Sequence, residues 1–131
     1  MKITVITVCR NSAATRRDPL VSVRAHSWAG YESLVVDGGS TDGTLEMLQD
    51  VEERFHGRLK WISEPDNGIY DAMNKGVRMS SGDVVGFLNA DDYYQDNGVL
   101  ETIAGAFAQH GTDAVHGNLH YINAARKVVR T

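Results

Sequence analysis

Acidic residues stand at regular points along this 131-residue sequence, each within a few residues of the end of an apolar, β-branched run. They are Asp37, Asp66, Asp91 and Asp92. The adjacent pair Asp91 and Asp92 suits a hard divalent cation, because Mg²⁺ and Mn²⁺ prefer carboxylate oxygens and share their coordination with a diphosphate. The pattern predicts a site for a metal-bound, phosphate-bearing ligand.

Each of these acidic positions has a second interpretation. Asp91 and Asp92 also suit an ordinary Asx turn that caps the following segment. Asp37 precedes Gly38 and Gly39, so its carboxylate is alternatively a strand-end group that bonds to the backbone amides of the glycine loop. The residue types alone leave both alternatives open.

The hydrophobic pattern predicts alternating strands and helices that carry these residues. Strands are predicted at 2–8, 33–37, 59–63 and 84–89, and helices at 18–28, 42–55, 69–77 and 99–107. Ile69, Met73, Gly76 and Val77 follow a helical spacing, with the glycine permitting close approach. A fifth strand is predicted at 113–116, and 118–129 is predicted to form a hairpin or an extension.

This alternation predicts one α/β domain over residues 1–131, with a mostly parallel sheet flanked by helices on both faces. Ligands of such sheets bind outside the carboxyl ends of the strands. Residues 7–11, at the end of the first strand, are expected to lie at that edge, and the acidic residues follow the next three strands. We therefore expect them to share one rim.

Composition excludes several function classes. The formal charge is −4 and the pI about 5.6, so no positive field is available for a nucleic-acid backbone. Neither a dinucleotide fingerprint nor a phosphate loop is found in the sequence. The single cysteine, Cys9, is expected to pack in the core, and His116 and His120 are not expected to bind metal. No targeting segment or membrane span is predicted.

Four segments in order resemble the GT-A-fold glycosyltransferases of family 2, especially bacterial members that build polysaccharides. They are ITVITVCRN at 3–11, VDGGSTDGT at 36–44, SEPDNGIYDAMNKG at 63–76 and GDVVGFLNADD at 82–92. The resemblance covers nearly the whole chain, and its third segment is the most specific. It implies a GT-A fold.

The resemblance further implies sugar transfer from a UDP- or GDP-sugar to a hydroxyl of a saccharide or lipid-linked acceptor, with inversion. The same resemblance implies that Asp37 faces the nucleoside and that Asp91 faces the ribose or the donor. It also implies that Asp92 binds Mn²⁺ or Mg²⁺. The metal would neutralise charge on the departing diphosphate. The remaining donor-binding positions that it implies are Thr7, Val8, Asn11, Gly38, Asp66 and Asn74.

Two positions depart from the family pattern. Many relatives carry a second aspartate where this chain has Gly38, so a contact to the base is expected to be missing and the nucleotide is left open. Arg10 stands where relatives often have tyrosine. The first departure bears directly on which base the site accepts.

The family's catalytic base comes later than Thr131, so the chain is expected to be a truncated donor-binding portion with weak or absent transfer. The alternative is a non-catalytic nucleotide-sugar-binding module, and a nucleotidyltransferase ranks last. A cytoplasmic location is expected, peripheral to the inner membrane face in the intact enzyme. An exposed edge strand would favour a homodimer.

Overall fold

Six strands and three helices appear in the computed structural model, which describes residues 1–10, 30–88, 94, 98–115, 121–122 and 128–130. The strands are β1 (Ile3–Cys9), β2 (Tyr31–Asp37), β3 (Leu59–Ser63), β4 (Val84–Phe87), β5 (Tyr121–Ile122) and β6 (Val128–Arg130). The helices are α1 (Thr44–Glu52), α2 (Ile69–Met79) and α3 (Val99–His110), and a 3₁₀ turn at Glu53–Phe55 follows α1. No helix in these ranges has the length and apolar character needed to cross a membrane.

The main sheet is parallel and has the order β3-β2-β1-β4. All seven residues of β2 are buried, which is typical of a strand covered on both faces. Cys9 pairs with Asp37, and Asp37 pairs with Ser63, so the carboxyl ends of β1, β2 and β3 lie level with one another. The predicted parallel sheet is confirmed.

Helices cover both faces of this sheet. Leu48 and Val51 of α1 and Leu100 of α3 join one apolar cluster with residues of β1, β2 and β3. The other face forms a second cluster around Ile6 and Leu34, onto which α2 packs through Ala72. Cys9 lies in the first cluster, as expected from the sequence.

Helix α2 begins at the predicted residue but turns a different side toward the sheet. Ala72 and Gly76 are buried, whereas Ile69 is 55% exposed and Val77 is 46% exposed. A Cβ at Gly76 would lie 2.7 Å from a methyl carbon of Ile6. The expected close approach at glycine is therefore confirmed, and it draws the small residues inward at the expense of the larger apolar ones.

The chain after α3 differs in part from expectation. Residues 113–115 form no strand, which corrects the prediction for 113–116 over its described part. β5 and β6 pair antiparallel, so the hairpin predicted within 118–129 is confirmed. β4 ends at Phe87 rather than residue 89, although the Leu88 amide still donates to the Ile6 carbonyl at 2.9 Å. The helix predicted at 18–28 lies outside the described residues.

A buried carboxylate ties the strands together at the sheet end opposite their carboxyl termini. Glu32 accepts hydrogen bonds from the Thr4 hydroxyl at 2.8 Å and from the Ser81 amide at 3.1 Å, and lies 3.1 Å from Lys60 Nζ. Burial alone would raise its pKa. Donors from Thr4, Lys60 and Ser81 outweigh burial and lower the pKa of Glu32 to about 2.

Candidate functional site

Two loops leave the level strand ends and form a rim. The loop after β2 begins at Gly38, whose amide donates to the Cys9 carbonyl at 2.8 Å. The loop after β3 begins at Glu64, whose amide donates to the Asp37 carbonyl at 3.0 Å. Backbone pairing thus continues past the strands and fixes both loops against each other.

Asp37 is the most enclosed acidic group at this rim, with 0% of its surface exposed. Its Oδ2 accepts hydrogen bonds from the Gly39 amide at 3.2 Å, the Ser40 amide at 2.8 Å and the Ser63 hydroxyl at 2.8 Å. Its Oδ1 accepts from the Ser40 hydroxyl and lies 3.6 Å from Cys9 Sγ. These donors compensate the burial of a charged carboxylate.

Of the two interpretations of Asp37, this geometry supports the structural one. The carboxylate has no exposed surface in this conformation, and its expected contact with a nucleoside stays a prediction. Asp37 positions the glycine loop from beneath. Its hydrogen bonds with the Gly39 and Ser40 amides set the shape of that loop.

The glycine loop lies against the loop after β3. Gly39 has φ +88°, a left-handed conformation that glycine adopts without strain, and the site of its missing Cβ is 3.6 Å from the Pro65 nitrogen. Beyond it, Asp42 Oδ1 accepts a hydrogen bond from the Thr44 amide at 3.2 Å, at the first residue of α1. The N-cap residue of α1 is Gly43, which makes no side-chain capping hydrogen bond, so Asp42 bonds to the helix from one residue before the cap.

Asp66, a second acidic residue of the rim, is half-buried rather than enclosed. Its Oδ1 accepts the Gly68 amide at 3.0 Å. Its Oδ2 lies 2.7 Å from the point where a Cβ of Gly38 would stand, and Arg10 Cβ lies 3.6 Å from that same point. Asp66, Gly38 and Arg10 therefore share one small patch, which joins the ends of β1, β2 and β3.

Two residues of α2 that the sequence reasoning did not single out hold the Asp66 loop. Lys75 Nζ donates to the Pro65 carbonyl at 3.0 Å and lies 3.2 Å from Glu64 Oε1. Asp71 Oδ2 accepts the Asn67 amide at 2.9 Å. Their spacing of four residues on a helix was the available signal, because it places both on the same side of α2.

The other predicted donor-binding residues divide into three groups. Thr7 is buried, and its hydroxyl has no hydrogen-bond partner among the residues that the structure describes. Val8 is partly buried and packs on the α2 face of the sheet. Asn74 is exposed on the side of α2 opposite Ala72 and Gly76. The structure does not bring these three side chains together at the rim. Asn11, Asp91 and Asp92 lie outside the described residues.

The described residues contain no group of three or more His, Cys, Asp or Glu side chains placed to hold a metal ion. The predicted metal ligand Asp92 follows β4, which neighbours β1 in the sheet. Asp92 itself lies outside the described residues. The metal site predicted at Asp92 therefore stays a prediction.

A separate cavity of about 480 Å³ lies between β4 and α3. Its lining includes Val84, Leu100, Ile103 and Tyr94. Burial raises the pKa of Tyr94 to about 12, and the ring packs against the first apolar cluster. Tyr94 thus covers an edge of the core, and this cavity is not part of the rim.

Similarity to known proteins identifies the family of this chain. The profile of "Glycosyl transferase family 2" matches residues 4–130. The chain belongs to glycosyltransferase family 2. It is 36% identical over 110 residues to an uncharacterized glycosyltransferase of Mycobacterium tuberculosis, and this match covers 83% of the chain and 41% of that relative.

Solved structures of family 2-like enzymes agree with the observed sheet. The chain is similar to Staphylococcus aureus TarS in complex with UDP-GlcNAc, with a TM-score of 0.79 and 26% identity over 86% of this chain and 33% of TarS. It is similar to the Pyrobaculum calidifontis mannosyltransferase PcManGT in complex with GDP-Man and Mn²⁺, with a TM-score of 0.76 and 25% identity over 82% of this chain and 32% of that enzyme. The domain has the GT-A fold.

Proposed function

We propose that this family 2 domain binds the nucleoside diphosphate sugar from which a glycosyltransferase transfers a sugar to an acceptor hydroxyl. The main support for this proposal is the rim, where the half-buried Asp66 lies against Gly38, next to the enclosed Asp37. TarS and PcManGT, which have the same fold, were solved with nucleotide sugars bound. The chain spans about 41% of the relative's length, so the activity proposed is that of a whole enzyme.

The chemistry of the rim suits a nucleotide. Gly39 is partly exposed and has no side chain, so a planar base or ribose is able to approach its backbone closely. A carboxylate accepts hydrogen bonds from base N–H groups and ribose hydroxyls, and Asp66 presents one to solvent. The Asp37 hydrogen bonds hold this surface in place before the ligand arrives, which lowers the entropic cost of binding.

Mn²⁺ or Mg²⁺ completes the proposed donor site. Asp92, with Asp91 beside it, would hold the ion as a carboxylate ligand, and the ion would neutralise charge on the departing diphosphate. PcManGT was solved with Mn²⁺ and GDP-Man, which supports this part of the proposal by family membership. Asp91 is assigned to the ribose or donor.

The proposed reaction inverts the anomeric carbon. The acceptor hydroxyl oxygen bonds to that carbon as its bond to the diphosphate oxygen breaks, the hydroxyl proton passes to a general base, and the nucleoside diphosphate leaves with the electron pair. No residue of this chain is assigned as the base. A saccharide or lipid-linked acceptor, a role in polysaccharide synthesis, a peripheral membrane location and a homodimer remain parts of the proposal.

Isothermal titration of the purified chain with UDP and GDP, each with and without Mn²⁺, tests the donor site. We expect binding that requires Mn²⁺ and falls by about tenfold or more in Asp92→Ala, since a ligand of the ion is removed. The matched control is Asp50→Ala, whose side chain is 57% exposed on α1 and forms an ion pair with Arg54. It should bind as the parent chain does.

The outcomes distinguish the two function classes considered. Nucleotide binding together with hydrolysis or transfer of the sugar from a UDP- or GDP-sugar supports an enzyme. Nucleotide-sugar binding without turnover supports a non-catalytic binding module. A folded chain that binds neither nucleotide under any condition contradicts the proposed donor site.

A further inference from the structure

The backbone conformation at position 38 does not explain why this residue is glycine. Its φ lies outside the left-handed region, whereas Gly39 and Gly43 lie within it, at +88° and +90°. Any residue type would therefore fit the conformation. What a side chain would meet is the end of the Asp66 side chain, because a Cβ would lie 2.7 Å from Oδ2 and the carboxylate would have to move. Gly38 thus makes room for the Asp66 carboxylate.

We infer that Asp66 is the base-selecting group of the donor site and that it selects uracil, an inference that rests on the proposed donor-binding function. A carboxylate is an acceptor only, so it favours a base that offers a ring N–H. Uracil offers N3–H at that edge, whereas cytosine has an acceptor nitrogen there. Two facing acceptors repel, so at this ring position a carboxylate attracts uracil and disfavours cytosine, whose donor is the neighbouring amino group.

The hydrogen bonds of the rim leave one Asp66 oxygen for the base. Oδ1 already accepts the Gly68 amide at 3.0 Å, while no hydrogen bond among the described residues ends on Oδ2. One open oxygen matches the single donor of uracil. Guanine presents two adjacent donors, N1–H and N2–H₂, which are best satisfied by both oxygens of a carboxylate. Because Oδ1 shares its acceptor capacity with the Gly68 amide, Asp66 is a better match for uracil than for guanine.

The loop that carries Asp66 is held before any ligand binds. Lys75 Nζ lies 3.0 Å from the Pro65 carbonyl, and the Asn67 amide lies 2.9 Å from Asp71 Oδ2. These bonds fix the chain on both sides of Asp66. A preorganised acceptor discriminates between bases more strongly than a mobile one, because it does not adjust to the wrong partner.

The test is titration of the parent chain and Asp66→Asn with UDP, CDP and GDP in the presence of Mn²⁺. We expect the parent to bind UDP about tenfold or more tightly than CDP, which is a typical effect of one hydrogen bond to a charged group. An asparagine amide is able to donate to the cytosine ring nitrogen, so Asp66→Asn should remove or reverse that ratio. A loss of UDP and CDP affinity by equal factors would make Asp66 merely structural and overturn the inference.

A carboxylate swap provides the second test. Gly38→Ala should weaken the UDP preference by displacing the Asp66 carboxylate, with Asp66 itself intact. The double variant Gly38→Asp/Asp66→Gly returns a carboxylate to the same patch from the neighbouring strand and should regain the preference. Asp50→Asn, an exposed substitution on α1, should leave the UDP/CDP ratio unchanged. Urea unfolding of each variant confirms that folded protein is compared.

The outcomes separate this inference from the proposed function. A folded parent chain that binds no nucleotide contradicts the donor site and the base assignment together. A parent chain that binds UDP and CDP equally retains the donor site and loses only the base assignment. A swap variant that binds nucleotides without preferring UDP also counts against Asp66 as the selecting group.

Discussion

Asp37 and Asp66 illustrate how two aspartates at neighbouring strand ends acquire different roles. Asp37 is fully buried and accepts backbone and hydroxyl donors through both oxygens, so it stabilises the loop. Asp66 is half-buried and uses one oxygen on its own loop. The difference lies in the number of donors that the fold places around each carboxylate.

The substitution Asp37→Asn should destabilise the domain. The neutral amide loses charge-assisted hydrogen bonds, and its NH₂ group faces the Gly39 and Ser40 amides wherever it replaces Oδ2. We expect the free energy of unfolding to fall by about 3 kcal/mol, measured by urea denaturation. Asp50→Asn on the surface of α1 is the control and should change it by less than about 0.5 kcal/mol.

A different result would reassign Asp37. If Asp37→Asn kept the stability of the parent chain but lost UDP binding, the carboxylate would contact the ligand directly. Unfolding and titration must therefore be measured on the same samples.

Helix α2 contacts both the hydrophobic core and the rim. Its Ala72 and Gly76 side packs on Ile6, and its Asp71 and Lys75 side reaches the loop after β3. The close contact at Gly76 fixes the rotation of the helix. That rotation decides which residues reach the loop.

Lys75→Met should loosen the Asp66 loop while keeping most of the helix packing. Lys75 is 17% exposed, and the methionine retains its apolar stem but loses contacts to the Pro65 carbonyl and Glu64. We expect the dissociation constant for UDP to rise about three- to tenfold and the UDP/CDP ratio to fall only in part, because Asp66 keeps its carboxylate but is held less firmly; titration measures both. Arg78→Met, in the exposed last turn of the same helix, is the matched control.

Lys75 would have no positioning role if Lys75→Met bound UDP as tightly as Arg78→Met did. A collapse of the UDP/CDP ratio in Lys75→Met alone would instead assign base selection to the lysine.

The whole sheet is held at its two ends by different chemistry. The carboxyl ends are joined through Asp37, and the opposite ends through Glu32, which links β1, the residues before β4, and Lys60 of β3. Both carboxylates are buried among donors supplied by several strands. Stability of the domain therefore depends on pH through Glu32.

Glu32→Gln tests this dependence. Because the pKa of Glu32 in the folded domain is about 2, below the ordinary value of 4.5, its contribution is present above about pH 4.5 and is lost as pH falls toward 2. Urea denaturation at pH 7, 5 and 3 should show the variant less stable by on the order of 2 kcal/mol at pH 7, with the gap narrowing at pH 3. A constant gap would rule out the carboxylate charge as the cause, and Glu101→Gln on exposed α3 serves as the control.

The sequence by itself determined the alternation of strands and helices, the parallel sheet and the family, because apolar periodicity and strand-end motifs are local features. Leu59–Ser63 and the start of α2 at Ile69 were predicted at the observed residues. Only the tertiary structure decided that Asp37 is enclosed and that Asp66 fills the space above Gly38. The burial of Asp37 and the contact between Asp66 and Gly38 involve residues that lie 26 to 29 positions apart in the sequence. Strand pairing brings these residues together, and no local pattern encodes that pairing.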